Sequence, residues 1–210
     1  MSDERSPSAD AKPWDARYGG GAGYYYGADP NDFLREHFGE IARGGEVLCL
    51  AEGEGRNAVF LAAQGYAVVA VDQSAVGLQK AERLAVLKGV RITTMQADLA
   101  KYRIESDRWD GIVSIWCHLP QALRTEVYRQ VVTGLKPGGA LLLESYTPDQ
   151  LRYGTGGPPT ADRMVTLKDL RRDLDGLVFI HAMERERVVT EGTGHTGLSA
   201  VVQIVARRPA

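Results

Sequence analysis

The chain has 210 residues, with 44% hydrophobic and 25% charged residues, which suits one folded domain and excludes wholesale disorder. Lys plus Arg (25) nearly balance Asp plus Glu (27), leaving a net charge of -2, so nothing in the overall field attracts a phosphate backbone and nucleic acid is not an expected partner. The two cysteines, Cys49 and Cys117, sit in apolar strand-like runs rather than a disulfide or C-x-x-C framework; with no signal-like or membrane-length apolar segment, a cytoplasmic protein is expected.

Residues 1–13 are polar and breaker-rich and read as a disordered tail, leaving 14–210 as a single domain. Residues 14–45 then read as an N-terminal lid and helix: Trp14, Tyr18 and Tyr24-Tyr25-Tyr26 are set among glycines, and Pro30 opens a helix. From Glu46 a strand, turn and helix rhythm begins. EVLCLA, YAVVAVD, VRITTMQAD and WDGIVSIWCH are strand-length apolar runs separated by the helical stretches NAVFLAAQ and SAVGLQKAERLAVLKG. PQALRTEVYRQVVTGL is a further helix, and GGALLLESY a fifth strand after the Pro137-Gly138-Gly139 turn. These strands are apolar on both faces, as buried parallel strands are. A Gly/Pro-rich segment follows Tyr146, then a short helix, TLKDLRRDL. The chain closes on two β-rich runs joined by a turn from Glu191 to Gly197. The fold class is α/β: a doubly wound, mostly parallel seven-stranded sheet with a C-terminal antiparallel hairpin.

Chemistry gathers at the strand ends. Gly53-Glu54-Gly55 lets a ligand approach the backbone, and the following helix N-terminus offers unpaired N–H groups. Read through Ala58, the stretch also fits the G-x-G-x-x-A of a dinucleotide-binding oxidoreductase, a motif of low specificity. Asp72 ends the second strand, where a carboxylate can accept both ribose hydroxyls; Asp72 or Ser74 can equally cap the next helix. Ala97-Asp98-Leu99 ends the third strand. Because open parallel sheets bind ligands at the carboxyl ends of strands, a glycine turn and two acids at successive ends predict an adenosine pocket.

The run VLCLAEGEGRNAVFLAAQGYAVVAVDQS, with QAD, WDGIVSIWCHLP and LKPGGALLLESYTP in order, resembles class I S-adenosylmethionine-dependent methyltransferases, nearest to small bacterial tellurite-resistance and thiopurine methyltransferase-like proteins. The resemblance implies that S-adenosylmethionine lies over Ala51, Glu52, Gly53 and Gly55, with Arg56 and Asn57 opening the helix beside it. Asp72 would hold the ribose, Gln73 and Ser74 would flank the adenine, Ala97, Asp98 and Leu99 would meet its edge, and Cys117 would border the sulfonium. Cys49 and Ala51 depart from the family's usual acid and glycine, and Glu52 or Glu54 would have to supply the charge.

On the acceptor side, His118 and His195 are the candidate catalytic residues, His195 on the final turn. Tyr25, Tyr26, Arg124, Tyr146 and Arg152 are candidate substrate contacts. Arg56, a cation at a helix start, requires an anionic partner. A thiol or metalloid oxyanion is a possible acceptor, and no metal site is expected because the four histidines are scattered. The alternatives are a nicotinamide-dependent oxidoreductase and a noncatalytic S-adenosylmethionine-binding protein on the same fold. The sequence leaves the oligomeric state open.

Overall fold

The computed structural model describes residues 11–210. The expected tail lies outside the described residues up to Asp10, while Ala11 begins helix α1 (Ala11–Gly19), which sequence reading had not anticipated. Its breaker-rich surroundings hide it. The helix nevertheless places Trp14 and Tyr18 four residues apart on one face, where their rings stack at 5.9 Å. Helix α2 (Asp32–His37) starts on an Asn31 cap whose side chain accepts from Leu34 N–H. It is shorter than expected and passes into a 3₁₀ turn, Phe38–Glu40.

The strand and helix rhythm then follows the sequence pattern: β1 (Glu46–Leu50), α3 (Arg56–Ala63), β2 (Ala67–Asp72), α4 (Ala75–Leu87), β3 (Thr93–Gln96), β4 (Trp109–Ile115), α5 (Gln121–Gly134) and β5 (Leu135–Tyr146). Helix α6 (Leu167–Asp173) opens with a Thr166/Asp169 capping box. β6 (Val178–Glu191) and β7 (His195–Arg207) form the antiparallel hairpin, with Glu191 opposite His195.

All seven strands form one sheet in the order β3-β2-β1-β4-β5-β7-β6. β1 to β5 run parallel, and β7 inserts antiparallel between β5 and β6. β1 shows why its run is apolar throughout: Leu48 and Leu50 pack toward α5 and α6, while Val47 and Cys49 pack toward α2 and α3. β3 departs from the expectation of two buried faces. It is an edge strand, and Thr93, Met95 and Gln96 are exposed. Pro137-Gly138-Gly139 lies inside β5, where a register shift opposite Trp109 and Gly111 absorbs the proline. The order reverses between β1 and β4, which opens a crevice above their carboxyl ends. No helix among the described residues is long and apolar enough to cross a membrane.

Candidate active site

That crevice contains a cavity of about 440 Å³, within the range of small-molecule sites. The sheet supplies its floor: Ala51 and Glu52 after β1, Asp72 and Gln73 at β2, Ala97, Asp98 and Leu99 after β3, Cys117 and His118 after β4. The three strand ends singled out by their glycine and acids therefore converge on one space. Two floor residues hold left-handed backbone without being glycine, Ala51 at φ 50° and Trp116 at φ 56°, a conformation that L side chains resist and that clusters at functional sites. Ala51 stands where the resemblance expects glycine, and its φ explains that expectation.

Asp72 is buried and already holds two backbone donors, Gly53 N–H on Oδ2 and Ser74 N–H on Oδ1, both at 2.8 Å. Burial raises its pKa above the ordinary carboxylate value, and these hydrogen bonds oppose the rise. The Gln73 backbone N–H also bonds this carboxylate, so of its roughly four acceptor positions one remains for a ligand hydroxyl.

Glu52 changes the reading of the glycine turn. Its Oε1 accepts N–H groups from Asn57 at 2.9 Å and Ala58 at 2.8 Å, so the donors at the start of α3 are occupied by the chain's own carboxylate. Burial pushes the Glu52 carboxyl up to about 7. Cys49 is fully buried in the core and does not line the cavity, so it takes no ligand position from an acid.

Gly53, Gly55 and Ser74 shape the site without lining it. A Cβ on Gly53 would sit 2.6 Å from the Tyr18 hydroxyl, and one on Gly55 would sit 2.4 Å from Ala81 Cβ; both glycines admit neighbours rather than ligand. Ser74 caps α4, accepting Gly77 N–H at 3.0 Å and donating to Asp15 at 2.5 Å.

The roof is the N-terminal segment: Trp14, Arg17, Tyr18 and Tyr26 face the cavity. Of these only Tyr26 was a named candidate from the sequence, although the i,i+4 spacing of Trp14 and Tyr18 was available. Tyr25 does not line the cavity. Its carbonyl accepts Thr193 N–H at 2.9 Å and its N–H donates to Glu54 at 2.7 Å, which fastens the roof to the β6–β7 loop and to the turn before α3. Glu54 in turn pairs with Lys80 at 2.8 Å.

His195 is the first residue of β7 and is 3% exposed, so the expectation of a turn residue is corrected. Its ring lies among Tyr26, Trp116 and Tyr146 at centroid distances of 4.6, 5.0 and 5.4 Å. Burial lowers its pKa, against the opposing effect of Glu191, whose Oε2 lies 3.6 Å from Nδ1. His118 also faces the cavity; burial and then His195 push its pKa down to about 3.

Arg56 has the partner that its position demands, and that partner is Glu191 at 2.5 Å rather than Glu54. Glu191 also accepts Trp116 Nε1–H at 2.6 Å and Asn31 Nδ2–H at 2.8 Å. This hub was not found from the sequence, since its partners come from remote segments and Glu191 itself carries no motif.

Besides Tyr25, three further acceptor-side candidates lie outside the cavity lining. Arg124 is buried against Asp173 at 2.9 Å and joins α5 to α6. Tyr146 is fully buried and stacks behind Trp116 at 4.4 Å and His118 at 5.5 Å, so it backs the wall. Arg152 is exposed and pairs with Asp149. Arg163, unnamed from the sequence, lines the cavity instead. Among the described residues no group of three or more His, Cys, Asp or Glu could hold a metal ion.

Residues 47–139, the span that supplies the floor of the cavity, match the family model for a methyltransferase domain. No curated protein matches the chain. Among solved structures, the chain resembles a protein studied in the conversion of a disulfide bond into a thioacetal group during echinomycin biosynthesis. That match has TM-score 0.76 and 19% identity, covering 95% of this chain and 91% of the other. A SAM-dependent methyltransferase from Methanosarcina mazei matches with TM-score 0.63 and 18% identity, covering 86% of this chain and 99% of the other. TehB from Haemophilus influenzae matches with TM-score 0.67 and 19% identity, covering 81% of this chain and 60% of that one. At these identities the likeness is one of fold, the Rossmann-like methyltransferase fold.

Proposed function

We propose that the cavity binds S-adenosylmethionine and that the domain transfers its methyl group to a small-molecule acceptor, leaving S-adenosylhomocysteine. The observation that carries this reading is the contrast between two buried carboxylates on the cavity floor. Asp72 lines the cavity and keeps an acceptor position for a hydroxyl of a nucleoside, while Glu52 closes the start of α3 to any phosphate. A nicotinamide dinucleotide therefore finds no seat for its pyrophosphate, which removes the support that G-x-G-x-x-A lent to an oxidoreductase.

When bound, the cofactor supplies an activated methyl group, so the protein's own part is orientation, exclusion of water and control of protonation. Asp72 would hold the ribose, Gln73 would flank the adenine, Ala97, Asp98 and Leu99 would meet its edge, and Ala51 and Cys117 would border the sulfur. The roof rings of Trp14, Tyr18 and Tyr26 close over a cation with ring-face attraction of ~0.5–2 kcal/mol. His195 and His118 serve the acceptor. A near-balanced net charge of -2 supports a small acceptor in the cytoplasm over nucleic acid. Of the two acceptors considered from sequence, a metalloid oxyanion is disfavoured. The lining carries Glu52, Glu54, Asp72 and Asp98 against Arg17, Arg56 and Arg163, and burial keeps both histidines neutral near pH 7.

Isothermal titration of the purified chain with S-adenosylmethionine, S-adenosylhomocysteine and NAD tests the reading. Binding of the first two and not the third is expected, followed by S-adenosylhomocysteine release with a panel of thiols, amines, hydroxyl compounds and oxyanions. NAD binding without S-adenosylmethionine binding would overturn it. Binding without turnover of any acceptor would favour a noncatalytic binding protein.

A further inference from the structure

Glu191 and His195 face one another across the β6–β7 loop, both buried, with Oε2 of the first 3.6 Å from Nδ1 of the second. Three donors hold the carboxylate in place: Arg56 Nη2 at 2.5 Å and Trp116 Nε1 at 2.6 Å on Oε2, and Asn31 Nδ2 at 2.8 Å on Oε1. With this support Glu191 stays ionised, well below the usual carboxylate range. Nδ1 is buried and has no hydrogen-bond partner at this separation; because an ionised carboxylate only accepts, a proton at Nδ1 is the tautomer that Glu191 favours. His195 also lines the cavity, and with its proton at Nδ1 the ring keeps the Nε2 lone pair for an acceptor.

We infer that Glu191 is a positioning residue that fixes His195 as a general base, and that the acceptor is an uncharged aromatic hydroxyl compound. The inference rests on the methyl-transfer reading above and names its acceptor class. Two features of the chamber select that class. Tyr26 and Trp116 flank His195 and line the cavity, so a planar apolar body meets ring faces there. The buried carboxylates around the base are each matched, Glu191 by Arg56 and Glu144 by Arg187, whose Nη2 lies 2.7 Å from Glu144; of the other lining cations, Arg17 donates to the Tyr26 hydroxyl and Arg163 is exposed. A thiol ionises readily near neutral pH and has little need of a base, whereas a hydroxyl must lose its proton as it attacks. In the step so described, the acceptor O–H gives its proton to Nε2. The oxygen pair forms the bond to the methyl carbon, and the carbon–sulfur bond breaks with its pair remaining on sulfur.

The test has two arms. In ¹⁵N-labelled protein without ligand, long-range ¹⁵N–¹H NMR should show His195 protonated at Nδ1 and bare at Nε2, and Glu191→Gln should lose that preference. A wild-type ring protonated at Nε2 would overturn the proposal, and this measurement needs no variant to fold. In the second arm, phenol and 4-nitrophenol are offered with S-adenosylmethionine. Wild type should methylate phenol. His195→Ala should lose phenol turnover by about 100-fold or more and lose far less with 4-nitrophenol, which is substantially ionised at pH 8. No phenol turnover by wild type, or equal losses with both acceptors, would reject the inference. Calorimetry with S-adenosylmethionine on the same samples separates the two levels. Absent binding sinks the methyl-transfer reading, and intact binding with either negative result sinks only the aromatic hydroxyl and its base.

Discussion

Glu54 and Lys80 form a buried ion pair 2.8 Å long that ties the roof of the cavity to α4. Lys80 also donates to the Gly23 carbonyl at 2.6 Å, and Glu54 accepts the Tyr25 N–H at 2.7 Å, so both ends of the aromatic run hang on one pair. Replacing Lys80 by Ala leaves Glu54 buried without its cation. The expected cost is about 3 kcal/mol in urea unfolding, with faster protease cleavage between Gly19 and Gly27. Unchanged unfolding and cleavage would show that the roof holds without the pair.

Asp72→Asn should weaken S-adenosylmethionine binding by ~1.5–3 kcal/mol, the loss of a charged hydrogen bond, while preserving the fold. The amide oxygen can still accept one of the two backbone N–H groups now held at Gly53 and Ser74. Calorimetry on the variant, with circular dichroism as a check on folding, reads both effects. Equal affinity would take Asp72 out of the proposed ribose contact.

Ala51→Gly should stabilise the protein by about 1 kcal/mol, because Ala51 holds φ 50° and glycine carries no Cβ penalty there. For a chain of this size the midpoint of thermal unfolding should rise by roughly 2–4 °C. A lower midpoint would mean that the Ala51 methyl packs usefully against its neighbours.

Glu52 makes stability depend on pH. Burial places its folded pKa at about 7 against an ordinary 4.5, so between these values the folded state keeps a proton that the unfolded chain has released. Stability contributed by the protonated group is therefore full below pH 4.5, falls as pH rises toward 7 and levels off above it, a loss of up to about 3 kcal/mol. Glu52→Gln retains an oxygen for Asn57 and Ala58 and should flatten this slope in ligand-free urea titrations at pH 5, 6, 7 and 8. A slope identical to wild type would assign the pH dependence elsewhere.

The central α/β pattern was readable because parallel strands buried on both faces appear as short apolar runs, as in VLCL and AVVAV. Asp72 and Asp98 were readable for a related reason: an acid that ends such a run stands at the carboxyl edge of the sheet, where ligands bind. Local signals of this kind depend only on neighbours along the chain. Tertiary structure alone decided that Glu52 would fill the start of α3, that Arg124 would turn inward to Asp173, and that Tyr146 would stand behind Trp116. It also moved His195 from an expected open turn into a buried pair with Glu191. The Arg56 to Glu191 contact spans 135 positions, and only the insertion of β7 beside β5 brings those residues together. Charge pairing and burial at that distance follow from packing, which no periodicity of side chains encodes.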